Sequence, residues 1–181
     1  MFRGDYQRFV AAFMMLAFAA ISFYRWTETH LLFFILVIVR DLLAAFFFFK
    51  RQEVEKKSSR WMALLSYVSA GIPLCYLGAS TTNSNLILIS NILSILGFLL
   101  VALATLELGT SIGISPAKRK KVNTGVYRWI KHPMYLGYGI SEIGLCLVNP
   151  HNSLIVIISF MLYYFRIAQE NKLLNSPEGK Q

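Results

Sequence analysis

The chain has 181 residues, 56% of them hydrophobic and only 15% charged, where a soluble domain holds about 45–50% and about 25%; an ordinary soluble globular domain is excluded. At about 150 residues per domain the length gives one unit, 1–181. Eighteen Lys and Arg against nine Asp and Glu leave a net charge of +9, which in so apolar a chain points to anionic headgroups rather than nucleic acid, whose stacking and groove-reading motifs are missing.

A membrane-spanning helix needs about 20 mostly apolar residues. Residues 9–24, 31–49, 61–79 and 86–106 approach that length and predict four spanning helices. The first is read as a retained helix and not a secretory signal, because Tyr24-Arg25-Trp26 stands where a small-residue cleavage site would follow. Two shorter apolar stretches, 134–148 and 153–165, flank Asn149-Pro150-His151-Asn152 and predict a helical hairpin. Each arm, at about 20 Å, is short for a hydrocarbon core of about 30 Å. Cys75 and Cys146 lie inside apolar runs, as packing residues rather than a disulfide.

The expected fold is therefore all-α: a polytopic bundle of about six helices, with four spans in 1–107, and a long loop and C-terminal hairpin in 108–181. Sixteen of the eighteen Lys and Arg fall at one end of these spans; Arg25 is in an opposite loop and Arg40 inside a helix. The positive-inside rule then places both termini and the two long basic loops in the cytoplasm, with six crossings.

Ionisable groups within spans are functional candidates. Arg40 and Asp41 sit near the middle of the second span; adjacent residues do not face each other on a helix, so each is expected to meet a partner on another helix. Glu142, among Gly139, Ser141 and Gly144, suits either a packing hydrogen bond or a pocket wall. Ser90, Asn91, Ser94 and Gly97 suit close helix contact.

The chemistry-bearing segment is 125–137, Gly-Val-Tyr-Arg-Trp-Ile-Lys-His-Pro-Met-Tyr-Leu-Gly, where the basic loop meets the apolar hairpin. Pro133 suits the first turn of a helix and sets His132 at its N-terminus. Such an end, with Lys131 and His132 beside it, attracts a carboxylate or phosphate. Tyr127, Trp129 and Tyr135 offer aromatic faces to an adenine or a cation. An interfacial anchor would carry the same residue types. Arg166 and Glu170, spaced i to i+4, share one helix face, and the hairpin returns that face to the level of His132.

Gly125-x-Tyr127, then Lys131-His132-Pro133-x-Tyr135-x-Gly137, and Arg166-x-x-x-Glu170 after an apolar hairpin resemble the catalytic region of integral membrane isoprenylcysteine carboxyl methyltransferases, relatives of the phospholipid N-methyltransferases. The run 108–117 is similar to the lead-in of bacterial members, so the resemblance covers about the last 75 residues. It implies a cytoplasm-facing pocket for S-adenosylmethionine and methylation of a lipophilic acceptor arriving from the bilayer. By position, Lys121, Val122, Gly125, Tyr127, His132, Pro133, Met134, Tyr135 and Glu170 would contact the cofactor. Arg166 would face the substrate and, where the acceptor is a carboxylate rather than a thiol or an amine, would orient it. No metal is called for, and the partners implied are membrane lipids and that acceptor. The membrane implied is a bacterial inner membrane rather than endoplasmic reticulum. Two departures stand out: Asn171 replaces a usual second acidic residue, and the longer aromatic tail of many members is missing before Gln181.

Rival readings are methylation of a lipid amine, for which a nearby guanidinium is unfavourable, and a non-catalytic scaffold or anionic-lipid-binding protein. A transporter lacks support, since neither paired broken helices nor inverted halves are visible.

Overall fold

Long apolar runs become helices here, and capping side chains open two of them. The computed structural model describes residues 6–50, 56–57, 59–114, 117–118 and 122–174. Among them six α-helices follow in order: α1 (Tyr6–Thr29), α2 (Leu32–Phe49), α3 (Arg60–Gly71), α4 (Ser84–Leu108), α5 (Pro133–Val148) and α6 (Asn152–Leu174). Ser59 Oγ accepts from the Met62 amide to open α3, and Asn83 Oδ1 accepts from the amides of Asn85 and Leu86 to open α4. Both satisfy amides that have no intrahelical partner.

Two expected boundaries move. The apolar run 61–79 is not one helix: α3 gives way to a 3-10 turn at Ile72–Cys75 and Tyr76 is extended. Pro73, which has no amide hydrogen to donate and clashes with the preceding turn, lies in that turn. The last arm runs to Leu174 instead of stopping at residue 165, because no Gly or Pro interrupts 166–174 and most of its residues favour helix. At 23 residues α6 is about 34 Å long and is no short hairpin arm. Arg8–Thr29, Leu32–Phe49, Ser84–Ser111 and Asn152–Leu173 are long and apolar enough to cross a membrane, and Trp61–Cys75 and Pro133–Val148 are shorter apolar helices. Leu88, Ile92, Leu96, Leu99 and Leu103 are exposed along α4. An outward apolar face of that length belongs against lipid tails, and the chain is an integral membrane protein.

Helices α4 and α5 form the tightest contact. A Cβ at Gly137 would lie 2.5 Å from the Gly97 carbonyl oxygen and 2.8 Å from Val101 Cγ2, and one at Gly144 would lie 3.0 Å from the Ser90 oxygen. Ser90, Ser94 and Gly97 are buried in this seam, as the small-residue pattern predicts. On the other side Ala11, Ala12 and Met15 of α1 pack with Ala44, Ala45 and Phe48 of α2.

Asparagines fasten the bundle end that carries the α5–α6 turn. Asn149 Nδ2 donates to the Gly78 carbonyl (2.7 Å), and Asn152 Oδ1 accepts from the Leu77 amide (2.8 Å) while its Nδ2 donates to the carbonyls of Leu77 (3.2 Å) and Leu145 (3.1 Å). At the opposite, basic end the two long loops meet through a two-residue antiparallel pairing, Lys56 opposite Lys118 and Lys57 opposite Ala117.

The buried charges resolve differently from expectation. Arg40 and Asp41 pair with each other, Nη2 to Oδ1 at 2.7 Å, because the long arginine side chain can fold back where short neighbours cannot. The guanidinium also reaches another helix, with Cζ 5.4 Å from the Tyr138 ring centroid. Glu142 is a packing residue: it is 1% exposed, and its Oε1 accepts from Tyr163 Oη at 2.6 Å. Both cysteines are free.

Candidate active site

Three helices present stripes at helical spacing to one cavity of about 480 Å³: Arg40, Ala44 and Phe48 of α2, His132, Tyr135 and Tyr138 of α5, and Tyr163, Arg166 and Glu170 of α6. That volume lies within the roughly 300–1,000 Å³ range of ligand pockets. The C-terminus of α2, the N-terminus of α5 and the C-terminus of α6 share the basic end, so the stripes descend together. From Phe48 to Arg40, eight residues, the descent is about 12 Å.

The rim is polar. Glu170 Oε1 accepts from Tyr135 Oη at 2.6 Å, and Glu170 Oε2 lies 3.7 Å from His132 Nδ1, an ion pair when the imidazole is protonated. His132 Nε2 donates to Asn171 Oδ1 at 3.2 Å. The neutral residue at position 171 therefore orients the imidazole without setting a second carboxylate beside Glu170. Burial, and then the charge of Glu170, pushes the Tyr127 phenol up, so it is a neutral donor at physiological pH. Pro133 opens α5 and no side chain caps its first amides, which leaves an anion-attracting helix end beside the cavity.

Below the rim, Arg166 Nη1 donates to Ser69 Oγ (3.2 Å) and Nη2 to the Ile114 carbonyl (2.8 Å), tying α6 to α3 and to the loop after α4. Its Cζ stands 5.3 Å from the Tyr135 centroid. Tyr135 and Tyr163 lie 5.4 Å apart and Tyr163 and Tyr138 6.0 Å apart, so a shelf of three tyrosines runs down to Arg40 at the floor. Met15, Ala44, Phe48, Ala70 and Pro73 form the facing apolar wall.

Seven of the residues anticipated from sequence, Val122, Tyr127, His132, Met134, Tyr135, Arg166 and Glu170, line this cavity. Pro133 is buried at the α5 start and acts through the position of His132. Lys121 lies outside the described residues. Gly125 does not line the cavity: its φ is +48°, and a Cβ there would collide with the carboxylate of Glu107, whose Oε1 accepts from the Val126 amide at 3.0 Å. Gly125→Ala should therefore cost about 2 kcal/mol from the left-handed backbone and the displaced carboxylate. The expected result is a thermal midpoint lower by roughly 4–8 °C, partly restored in Gly125→Ala/Glu107→Ala; an unchanged midpoint would show that Glu107 does not fix this turn.

Sequence reasoning missed Tyr138, Tyr163 and Met15. The first two were accessible: Tyr138 is i+3 from Tyr135, and Tyr163 is i−3 from Arg166, so each shares a face with a motif residue. Nothing in the sequence singles out Met15. Among the described residues no group of three or more His, Cys, Asp or Glu side chains could hold a metal ion.

The helical bundle, apolar on its outer surface, thus encloses one cavity with a polar rim, an aromatic shelf and an apolar wall. The sequence pattern of the isoprenylcysteine carboxyl methyltransferase family matches residues 86–176, half of the chain. The chain belongs to that family of membrane methyltransferases, which generally use S-adenosylmethionine. No curated protein and no solved structure matches it.

Proposed function

We propose that the protein transfers a methyl group from S-adenosylmethionine to the carboxylate of a lipophilic, membrane-borne acceptor of the isoprenylcysteine type. The observation that carries this reading is the continuity of one cavity from the Glu170–Tyr135–His132 rim, past Arg166, to an apolar wall. The rim suits the cofactor by its donor set. The first turn of α5 and His132 would take its carboxylate, Glu170 its ammonium or ribose hydroxyls, and Val122, Tyr127 and Met134 its remaining surface. The electron-rich tyrosine faces favour a cationic neighbour. When bound, the cofactor supplies a methyl group activated by its sulfonium.

The chain's own residues then have positioning work to do. Arg166, clamped by Ser69 and Ile114, orients the acceptor carboxylate by charge-assisted hydrogen bonds. The apolar wall holds the lipid part and excludes water, so alignment can supply much of the rate. A cationic lipid amine beside Arg166 would be repelled, which argues against N-methylation. The concentration of basic residues at the cavity end supports a cytoplasmic active site and cytoplasmic termini; the likeness of 108–117 to bacterial members is what favours a bacterial inner membrane.

The test is titration of purified protein in lipid nanodiscs with S-adenosylhomocysteine, followed by transfer of labelled methyl to an S-prenylated cysteine with a free carboxyl group. Saturable binding that weakens about tenfold in His132→Ala, with label in a base-labile ester, is expected. Well-folded protein with no saturable binding would end this reading.

A further inference from the structure

The cavity floor carries a second guanidinium. Arg40 lines the cavity about two helical turns below Phe48 and is held by Asp41 on one side (2.7 Å) and the face of Tyr138 on the other. Its side chain is 10% exposed, although its helix lies within a membrane span. The Nε of Arg40 has no hydrogen-bond partner among the described residues. Arg166 meanwhile has both terminal nitrogens bonded to protein atoms. Even with Arg40 offset by Asp41, Arg128, Lys131 and Arg166 line the cavity against one lining carboxylate, Glu170, an imbalance that an anionic reactant would offset.

We propose that Arg40 is a specificity-determining residue: it binds the anionic head of the lipophilic acceptor from below, opposite Arg166, and so selects carboxylates over neutral or cationic heads of the same tail. The tyrosine shelf runs between the two guanidiniums, with Tyr135 beside Arg166 and Tyr138 beside Arg40. Asp41 holds Arg40 in place and moderates its charge. This assignment rests on the methyltransferase reading above and refines it at the acceptor end.

The two partners of the ion pair should then behave oppositely toward an anion. The double variant Arg40→Gln/Asp41→Asn removes both charges and leaves no uncompensated ion in the bundle, so the fold is retained. The probes are an S-prenylated N-acetylcysteine and its neutral carboxamide, and the readouts are quenching of Trp fluorescence on binding and the KM of methyl transfer. In the double variant, affinity for the carboxylate should fall roughly 10- to 100-fold, the loss of a charge-assisted hydrogen bond. The carboxamide should change less than about threefold, kcat should change little beside KM, and S-adenosylhomocysteine should bind as in wild type. Asp41→Asn alone should bind the carboxylate as tightly as wild type or more tightly. Undiminished carboxylate selectivity in the double variant, or equal losses for both probes, overturns the role of Arg40. Absence of S-adenosylhomocysteine binding in the wild type overturns the methyltransferase reading instead.

Discussion

Glu170→Ala should weaken S-adenosylhomocysteine binding by roughly 100-fold, which corresponds to about 2.7 kcal/mol, while changing the thermal midpoint by only a few degrees. The asymmetry follows from where the carboxylate sits. Glu170 is half-buried at the rim, near the basic-end terminus of α6, and it touches α5 through polar side-chain contacts at the rim rather than through the packed core. Its removal nevertheless acts on three things at once: it takes away the anion that would meet a ligand ammonium or hydroxyl, leaves the Tyr135 hydroxyl without its 2.6 Å acceptor, and frees one side of the His132 ring. Charge-assisted hydrogen bonds are individually worth about 1.5–3 kcal/mol, so one such contact with the ligand accounts for the effect. Glu170→Gln should recover part of the binding by keeping an oxygen for Tyr135. Titration calorimetry in nanodiscs checks both variants; binding equal to wild type in Glu170→Ala would remove the rim from the cofactor site.

Gly137→Leu should cost about 3 kcal/mol or more, at the upper end for overpacking, and lower the thermal midpoint by roughly 6–12 °C. The residue faces backbone: even a single added carbon meets the Gly97 carbonyl oxygen at 2.5 Å and the Val101 amide nitrogen at 3.2 Å. Backbone cannot move aside as a flexible side chain can, so α4 and α5 must separate. Separation would also shift Tyr138, one residue along, and with it the cavity floor. Gly139→Ala provides the control on the same helix. Its new Cβ would touch the Phe160 ring at 3.3 Å, a side chain able to turn, and a midpoint close to wild type is expected. Equal effects from the two substitutions would mean that helix propensity, rather than the α4–α5 approach, controls stability.

Helix number and the basic asymmetry were legible because they depend on composition over windows of about 20 residues. Where α3 and α6 end was not, because hydropathy ignores the hydrogen-bonding defect introduced by Pro73 and treats the polar last turns of α6 as loop. His132, Tyr135, Arg166 and Glu170, singled out because their types and spacing are unusual at a membrane boundary, line one cavity. Gly125 does not line that cavity, and its neighbour is Glu107, nearly twenty residues upstream, a contact that no local spacing announces. The Arg40–Asp41 pair defeated the rule that adjacent helical residues face apart, since that rule concerns Cβ directions and a guanidinium on a long stem need not follow them.

Met15, Ala44, Phe48, Ala70 and Pro73 of the apolar wall precede the family-matched segment, whereas the rim residues His132, Tyr135 and Glu170 lie within it. On the proposed function, part of the surface offered to the lipid tail is thus encoded upstream of the stretch that would hold the donor, and the two stretches are joined directly by contacts such as that of Arg166 with Ser69. Exchanging the leading three helices for those of a distant homologue should redirect which lipid is modified while leaving the nucleoside end untouched, a modularity written into chain order rather than into separate folding units.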